Sequence, residues 1–186
     1  MALARIGRIS SPASRAVFFE KAMPLLDAAF SAHGDDLAVA LERSALLRAL
    51  GRKRESLALA KALRWRAPED EDIRVELVQA AIGAAQHELA ITEARELANR
   101  DPFSAEWGQL LAEAQAADGR WDDVLATARS ISQKHPLLAR PRMMAIEAFT
   151  RLRRSDEARA EFEVLLGMRV AERDAIVRWY HAVRRE

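Results

Sequence analysis

The 186-residue chain is 50% apolar and 31% charged, carries a net charge of +1 and contains no cysteine. Disulfides, thiolate metal sites and thiol nucleophiles are therefore excluded, and no apolar run approaches the ~20 residues of a bilayer-crossing helix. The charge is uneven: residues 1–67 hold 12 Lys/Arg against 6 Asp/Glu, residues 68–123 hold 4 against 14, and residues 124–186 hold 13 against 8. A nucleic-acid surface needs a continuous basic stripe, and an acidic centre of this size would repel phosphate.

Residues 1–12 read as a disordered basic tail. Arg5 and Arg8 precede the first acid, Glu20, and Met1–Ile9 lacks the uninterrupted apolar core of a secretory signal. From about Ser14 to His33, Val17, Phe18, Ala22, Leu25, Leu26, Ala29 and Phe30 fall at helical spacing. Pro24 is expected to kink or divide this helix, because its ring displaces a backbone hydrogen bond.

Beyond residue 36, one punctuation recurs. Pro68, Pro102 and Pro136 stand at one constant interval, and the segment before each reads as apolar helix, turn, apolar helix. A period of about 34 residues with that content marks a two-helix repeat array. Residues 37–70 carry Leu41, Leu46, Leu47 and Leu50, then Gly51 as a left-handed helix stop, then Leu57, Ala60 and Leu63. Residues 71–104 carry Val75, Leu77, Val78 and Ile82, then Leu89, Ala90, Ala94 and Leu97. Their leading acids, Glu69 to Asp72, suit the positive end of a helix. Residues 105–138 carry Leu110, Leu111, Ala112 and Ala114, the turn Asp118-Gly119, then Trp121, Val124, Leu125, Ala128 and Ile131. Residues 139–170 carry Met144, Ala145, Ile146, Ala148 and Phe149, then Ala158, Phe162 and Leu165; Val170 replaces the next proline. Residues 13–36 match the second half of a repeat, since Ala22, Leu26 and Ala29 lie one interval before Ser56, Ala60 and Leu63. Residues 171–186 form a capping helix with Ile176, Trp179, Tyr180 and Val183 on one face.

This pattern resembles the tetratricopeptide repeat family. The paired large and small residues of its first helix are matched by Leu77-Val78, Leu111-Ala112 and Ala145-Ile146, with a poorer Arg43-Ser44 in the first repeat. Its turn glycine is matched by Gly51 and Gly119, and the small residue of its second helix by Ser56, Ala90 and Ala158, with Val124 a departure. Its later positions are matched by Ala60, Ala94, Ala128 and Phe162, then by Leu63, Leu97, Ile131 and Leu165. The resemblance implies an all-α, right-handed superhelical solenoid of antiparallel helix pairs. It also implies a non-enzymatic adaptor or scaffold that holds a partner's peptide or helix on its concave wall.

Counting along each first helix places Leu41, Ala45 and Arg48 on that wall, then Val75, Gln79 and Ile82, then Glu106, Gln109 and Glu113, then Met143, Glu147 and Thr150. The cationic clamp with which some family members grip terminal carboxylates is missing, since the equivalent places hold Leu41, Ala45, Val75, Gln79 and Glu113. The acids Asp72, Glu106, Glu113 and Glu147 point instead to a basic-amphipathic segment as the guest. Trp65, between Arg64 and Arg66, is expected to cover the joint between repeats, with a secondary contact as the other reading. Trp107 and Trp121 are expected to pack at helix starts, and Trp179 with Tyr180 to seal the cap. His33, His87, His135 and His181 are isolated, and no phosphate loop, catalytic triad or cofactor motif is present. Asp35-Asp36 and Asp122-Asp123 stand where helices begin. The expected setting is cytoplasmic. The rival reading is a constitutive accessory or regulatory subunit of an enzyme or cell-envelope complex, held through the basic ends or the Trp65 region.

Overall fold

The structure, a computed structural model, describes residues 12–33, 36–168 and 173–184, so residues 1–11 of the expected 1–12 tail, Asp35 and Val170 lie outside the described residues, while Pro12 opens the first helix. The described chain is helical with no strand: α1 Pro12–Ala32, α2 Leu37–Ala49, α3 Lys53–Arg66, α4 Glu71–Gly83, α5 His87–Arg100, α6 Ala105–Ala117, α7 Trp121–Lys134, α8 Ala139–Arg151, α9 Ser155–Gly167 and α10 Arg173–Val183. Pro24 lies inside α1 without dividing it. Two compact units divide the chain, residues 1–93 and 94–186.

The repeat interval is written into the helix ends. Each of the four first helices stops with one residue in the left-handed conformation: Gly51 at φ 75°, Ala85 at φ 57°, Gly119 at φ 74° and Arg153 at φ 58°. Around each runs the same pair of backbone bonds, as in Arg52 N–H to Leu47 O (2.9 Å) with Gly51 N–H to Arg48 O (3.0 Å). Gln86 to Ala81, Arg120 to Gln115 and Arg154 to Phe149 repeat the longer bond. These paired bonds satisfy carbonyls that a helix end leaves orphaned.

The first-helix starts recur as well. Asp36 accepts from Ala38 and Val39 N–H, Asp70 from Ile73 N–H, and Ser104 from Trp107 N–H. Leu138 takes the same extended backbone at φ −82°, ψ 125° but offers no capping oxygen.

In the first unit, Met23 of α1 packs with Leu46 and Leu47, and Phe19, Leu26 and Leu59 lean on them. Arg43 ties α1 to α2, pairing with Asp27 at 2.8 Å while its guanidinium lies 4.8 Å from the Phe30 ring centre. Ala40, Leu63 and Ile73 form a second cluster, and Ala60, Leu77 and Ala80 a third. The poor family match at Ser44 has a structural answer: Ser44 is fully buried and donates to Glu76 Oε1 at 3.0 Å. Arg48 clasps both oxygens of the same carboxylate, at 3.3 and 2.9 Å. A buried carboxylate tolerates its desolvation only when ringed by such donors.

In the second unit one continuous apolar cluster joins Ala112, Val124, Leu125 and Ala128 to Met144, Ile146 and Phe149, then to Phe162, Leu165, Ile176 and Tyr180. The Phe162 and Tyr180 rings stack with centres 3.8 Å apart, so α10 is fastened to α9 by aromatic contact. Trp121 and Trp179 lean on this cluster, as expected for a helix start and a terminal cap. Trp107 is half-buried near the start of α6. Gly108 allows α6 to approach α7 closely, since a Cβ there would meet Ile131 Cγ1 at 2.8 Å.

Candidate functional site

The predicted wall residues fall on the partly open sides of the first helices. Leu41, Ala45, Arg48, Val75, Gln79, Ile82, Gln109, Glu113, Met143, Glu147 and Thr150 are half-buried, and Glu106 is exposed, while Leu46, Leu77, Ala112 and Ile146 beside them are buried. This alternation follows from helical geometry, which sets residues three and four apart on one face and their neighbours on another.

In the first unit that face is mostly aliphatic. Leu41 leans on the Ala40–Leu63–Ile73 cluster. Arg48, expected on the wall, is committed to Glu76 on α4. The interaction requires geometry that helical counting along α2 does not contain, because its partner lies 28 residues away.

In the second unit three of the predicted residues converge. Glu113, Met143 and Glu147 line a cavity of about 170 Å³ together with Ala116, Trp121, Val124, Arg140, Met144 and Trp179. Arg140 donates to Glu113 Oε1 at 2.9 Å. The Glu147 side chain has no hydrogen bond or ion pair among the described residues. Trp121, Arg140 and Trp179 were not among the predicted site residues. The signal for Trp179 was present, since it stands one repeat interval after Ala145 and so continues the first-helix phase into α10. A larger cavity of about 560 Å³, lined by Pro102, Ser104, Gly108, Lys134 and His135 among others, contains none of the predicted residues.

Trp65 does not cover a joint. It is 88% exposed on α3, a correction to the expectation. Its neighbour Arg64 turns away to Glu93 at 3.1 Å and to the Pro68 carbonyl, leaving the indole uncovered.

Asp122 and Asp123 occupy the first turn of α7, and His135 Nε2 lies 2.7 Å from the Phe103 carbonyl. Among the described residues no three His, Cys, Asp or Glu converge as a metal site, and no helix is long and apolar enough to cross a membrane. Arg52 donates to Glu55, and this hydrogen bond holds the Glu55 carboxyl below its usual range; Arg154 does the same to Glu157. Both pairs sit at second-helix starts, where negative charge also meets the helix dipole.

No protein-family model matches the chain, and no curated protein matches it in sequence. Solved structures do match. MamA from AMB-1 is 18% identical with a TM-score of 0.67, covering 83% of this chain and 91% of that one. MamA from MSR-1 is 17% identical with a TM-score of 0.65, covering 83% and 88%. TTC0263, a thermophilic TPR protein of Thermus thermophilus, is 18% identical with a TM-score of 0.61, covering 78% and 81%. With helix ends recurring at one interval and these neighbours, the chain has an all-α, tetratricopeptide-like helical-repeat fold.

Proposed function

We propose that this protein is a non-enzymatic adaptor or scaffold that binds a basic-amphipathic peptide or helix on the open faces of its first helices. The observation that carries this reading is the partly exposed, polar and apolar character of those helix faces within each unit, Leu41, Val75 and Gln79 in the first and Glu113, Met143 and Glu147 in the second. Apolar positions offer area worth about 25 cal/mol per Å² before association costs, and amides and carboxylates can satisfy a guest's polar groups. A cytoplasmic setting accompanies this reading, because a cysteine-free chain needs no oxidising compartment. Affinity capture from native cells with wild-type protein and with Glu113→Lys/Glu147→Lys tests it. Loss of the captured partner in the variant is expected, and undiminished capture would refute it.

The second reading, an accessory or regulatory subunit, is favoured by the bare indole of Trp65 in a helix carrying Lys53, Arg54 and Lys61 on exposed positions. Trp is enriched among residues that dominate interface energies. Under that reading Trp65→Ala abolishes capture and the double glutamate reversal does not.

A further inference from the structure

We propose that the cavity in the second unit is an anchor pocket for one lysine or arginine side chain, whose alkyl stem lies against Trp121, Met144 and Trp179 and whose charged head meets Glu147. This inference rests on the adaptor reading and names the chemistry of its guest at one point.

Size comes first. About 170 Å³ is well under the ~300–1,000 Å³ of small-molecule sites, yet several times the ~30 Å³ that one water occupies. The pocket therefore takes one long side chain. The lining is graded in the way such a side chain requires: Val124 and Met144 are buried, Trp121, Met143 and Trp179 are half-buried, and the charged groups are Glu113, Arg140 and Glu147. Lysine and arginine pack their stems on apolar surface while their heads seek water or a counter-charge.

Charge decides between a cationic and an anionic head. Glu113 and Arg140 neutralise one another at 2.9 Å. Arg151 holds its guanidinium 5.7 Å from the Trp121 ring centre and is not part of the lining. Glu147 remains as the lining charge without a partner among the described residues, so the pocket is one negative charge in excess.

The test uses n-butylguanidinium as the probe, with n-butanol and butyrate as matched neutral and anionic stems. The full chain is labelled at its methionine methyl groups, and the Met143 and Met144 signals are followed by NMR. Saturable shifts with n-butylguanidinium, weaker or absent with the other two, are expected. Glu147→Gln should weaken binding about fivefold, the effect of one partly exposed charge pair. Glu106→Gln, on the same helix series but outside the cavity, should leave it unchanged. Glu147 is half-buried and has no partner among the described residues, so its variant keeps the fold, which an unchanged circular dichroism melt checks. Equal shifts with n-butanol, preference for butyrate, no shift at all, or full binding in Glu147→Gln would each overturn the proposal. The fragment titration needs no partner and the capture experiment needs no fragment. A silent pocket with intact capture removes this proposal alone, whereas failed capture removes the adaptor reading and leaves the fragment result standing.

Discussion

Replacing Ala85 by glycine should stabilise the protein, against the usual rule that glycine weakens a chain. Ala85 holds φ 57° at the end of α4, where the in-phase residues Gly51 and Gly119 hold φ 75° and 74°. A side chain in the left-handed region costs about 1–2 kcal/mol through the crowding of Cβ against the following carbonyl. Glycine removes that term but loses about 0.4–1 kcal/mol through the greater freedom of its unfolded chain. The net gain is about 0.5–1 kcal/mol, or roughly 1–4 °C for a chain of this size. Gly51→Ala should lose a similar amount, since nothing lies within 4 Å of its added Cβ and only the backbone conformation opposes it. Urea titration followed by circular dichroism measures both. Hydrogen exchange at Gln86, whose N–H donates to Ala81 O at 2.8 Å, should slow in Ala85→Gly. A destabilised Ala85→Gly, or a stabilised Gly51→Ala, would refute the strain account.

Leu138→Asp places a capping oxygen on a backbone already in the N-cap conformation, and should raise stability by about 0.5–2 kcal/mol in the same titration. Glu76→Ala strips Ser44 and Arg48 of their shared acceptor and should cost about 2–3 kcal/mol. Ser44 keeps the Ser56 carbonyl at 3.2 Å as an acceptor, so adding Ser44→Ala to that variant should recover little of the loss. Glu55 and Glu157 titrate lower in the folded chain than in the unfolded one. Their contribution is complete above the ordinary glutamate value of 4.5 and disappears as pH falls through the folded value. Carboxyl NMR titration should give both midpoints below 4.5, and Arg52→Gln should return Glu55 toward it.

The repeat was legible because the same physical constraints return once in every module. Gly51, Gly119 and the three prolines report backbone demands that few residues satisfy, and such demands show directly in residue type. Ala85 and Arg153 meet the first of those demands with ordinary side chains, so their turns carry no composition signal and emerge from the phase alone. The apolar faces were readable for the same reason: Leu77, Ala112 and Ile146 are buried where helical spacing places them. Long-range polar pairing was not readable. Counting along one helix places Arg48 on the wall, and its commitment to Glu76 depends on how two helices approach. Trp65 failed differently, because its bulk suggested burial but the groups near it, Arg64 among them, are drawn elsewhere. The second-unit cavity was half legible. Its acids and Met143 followed from counting and Trp179 continues the first-helix phase, while Trp121 required knowing that a second helix closes on the same hollow.

The Ser44–Glu76–Arg48 cluster makes the first two repeats a matched pair. In the second unit adjoining modules meet chiefly through one apolar cluster, with the solvent-facing Arg140–Glu113 pair beside it, and one greasy flank can substitute for another at modest cost. Here α2 brings a guanidinium that α4 is equipped to receive, because Glu76 is the acid buried opposite it, with the Ser44 hydroxyl donating to the same carboxylate. Permuting the repeat order, or splicing in a consensus module behind α3, would set Arg48 and Ser44 against a surface with no carboxylate. Engineering by shuffling would therefore have to carry residues 37–83 as one cassette.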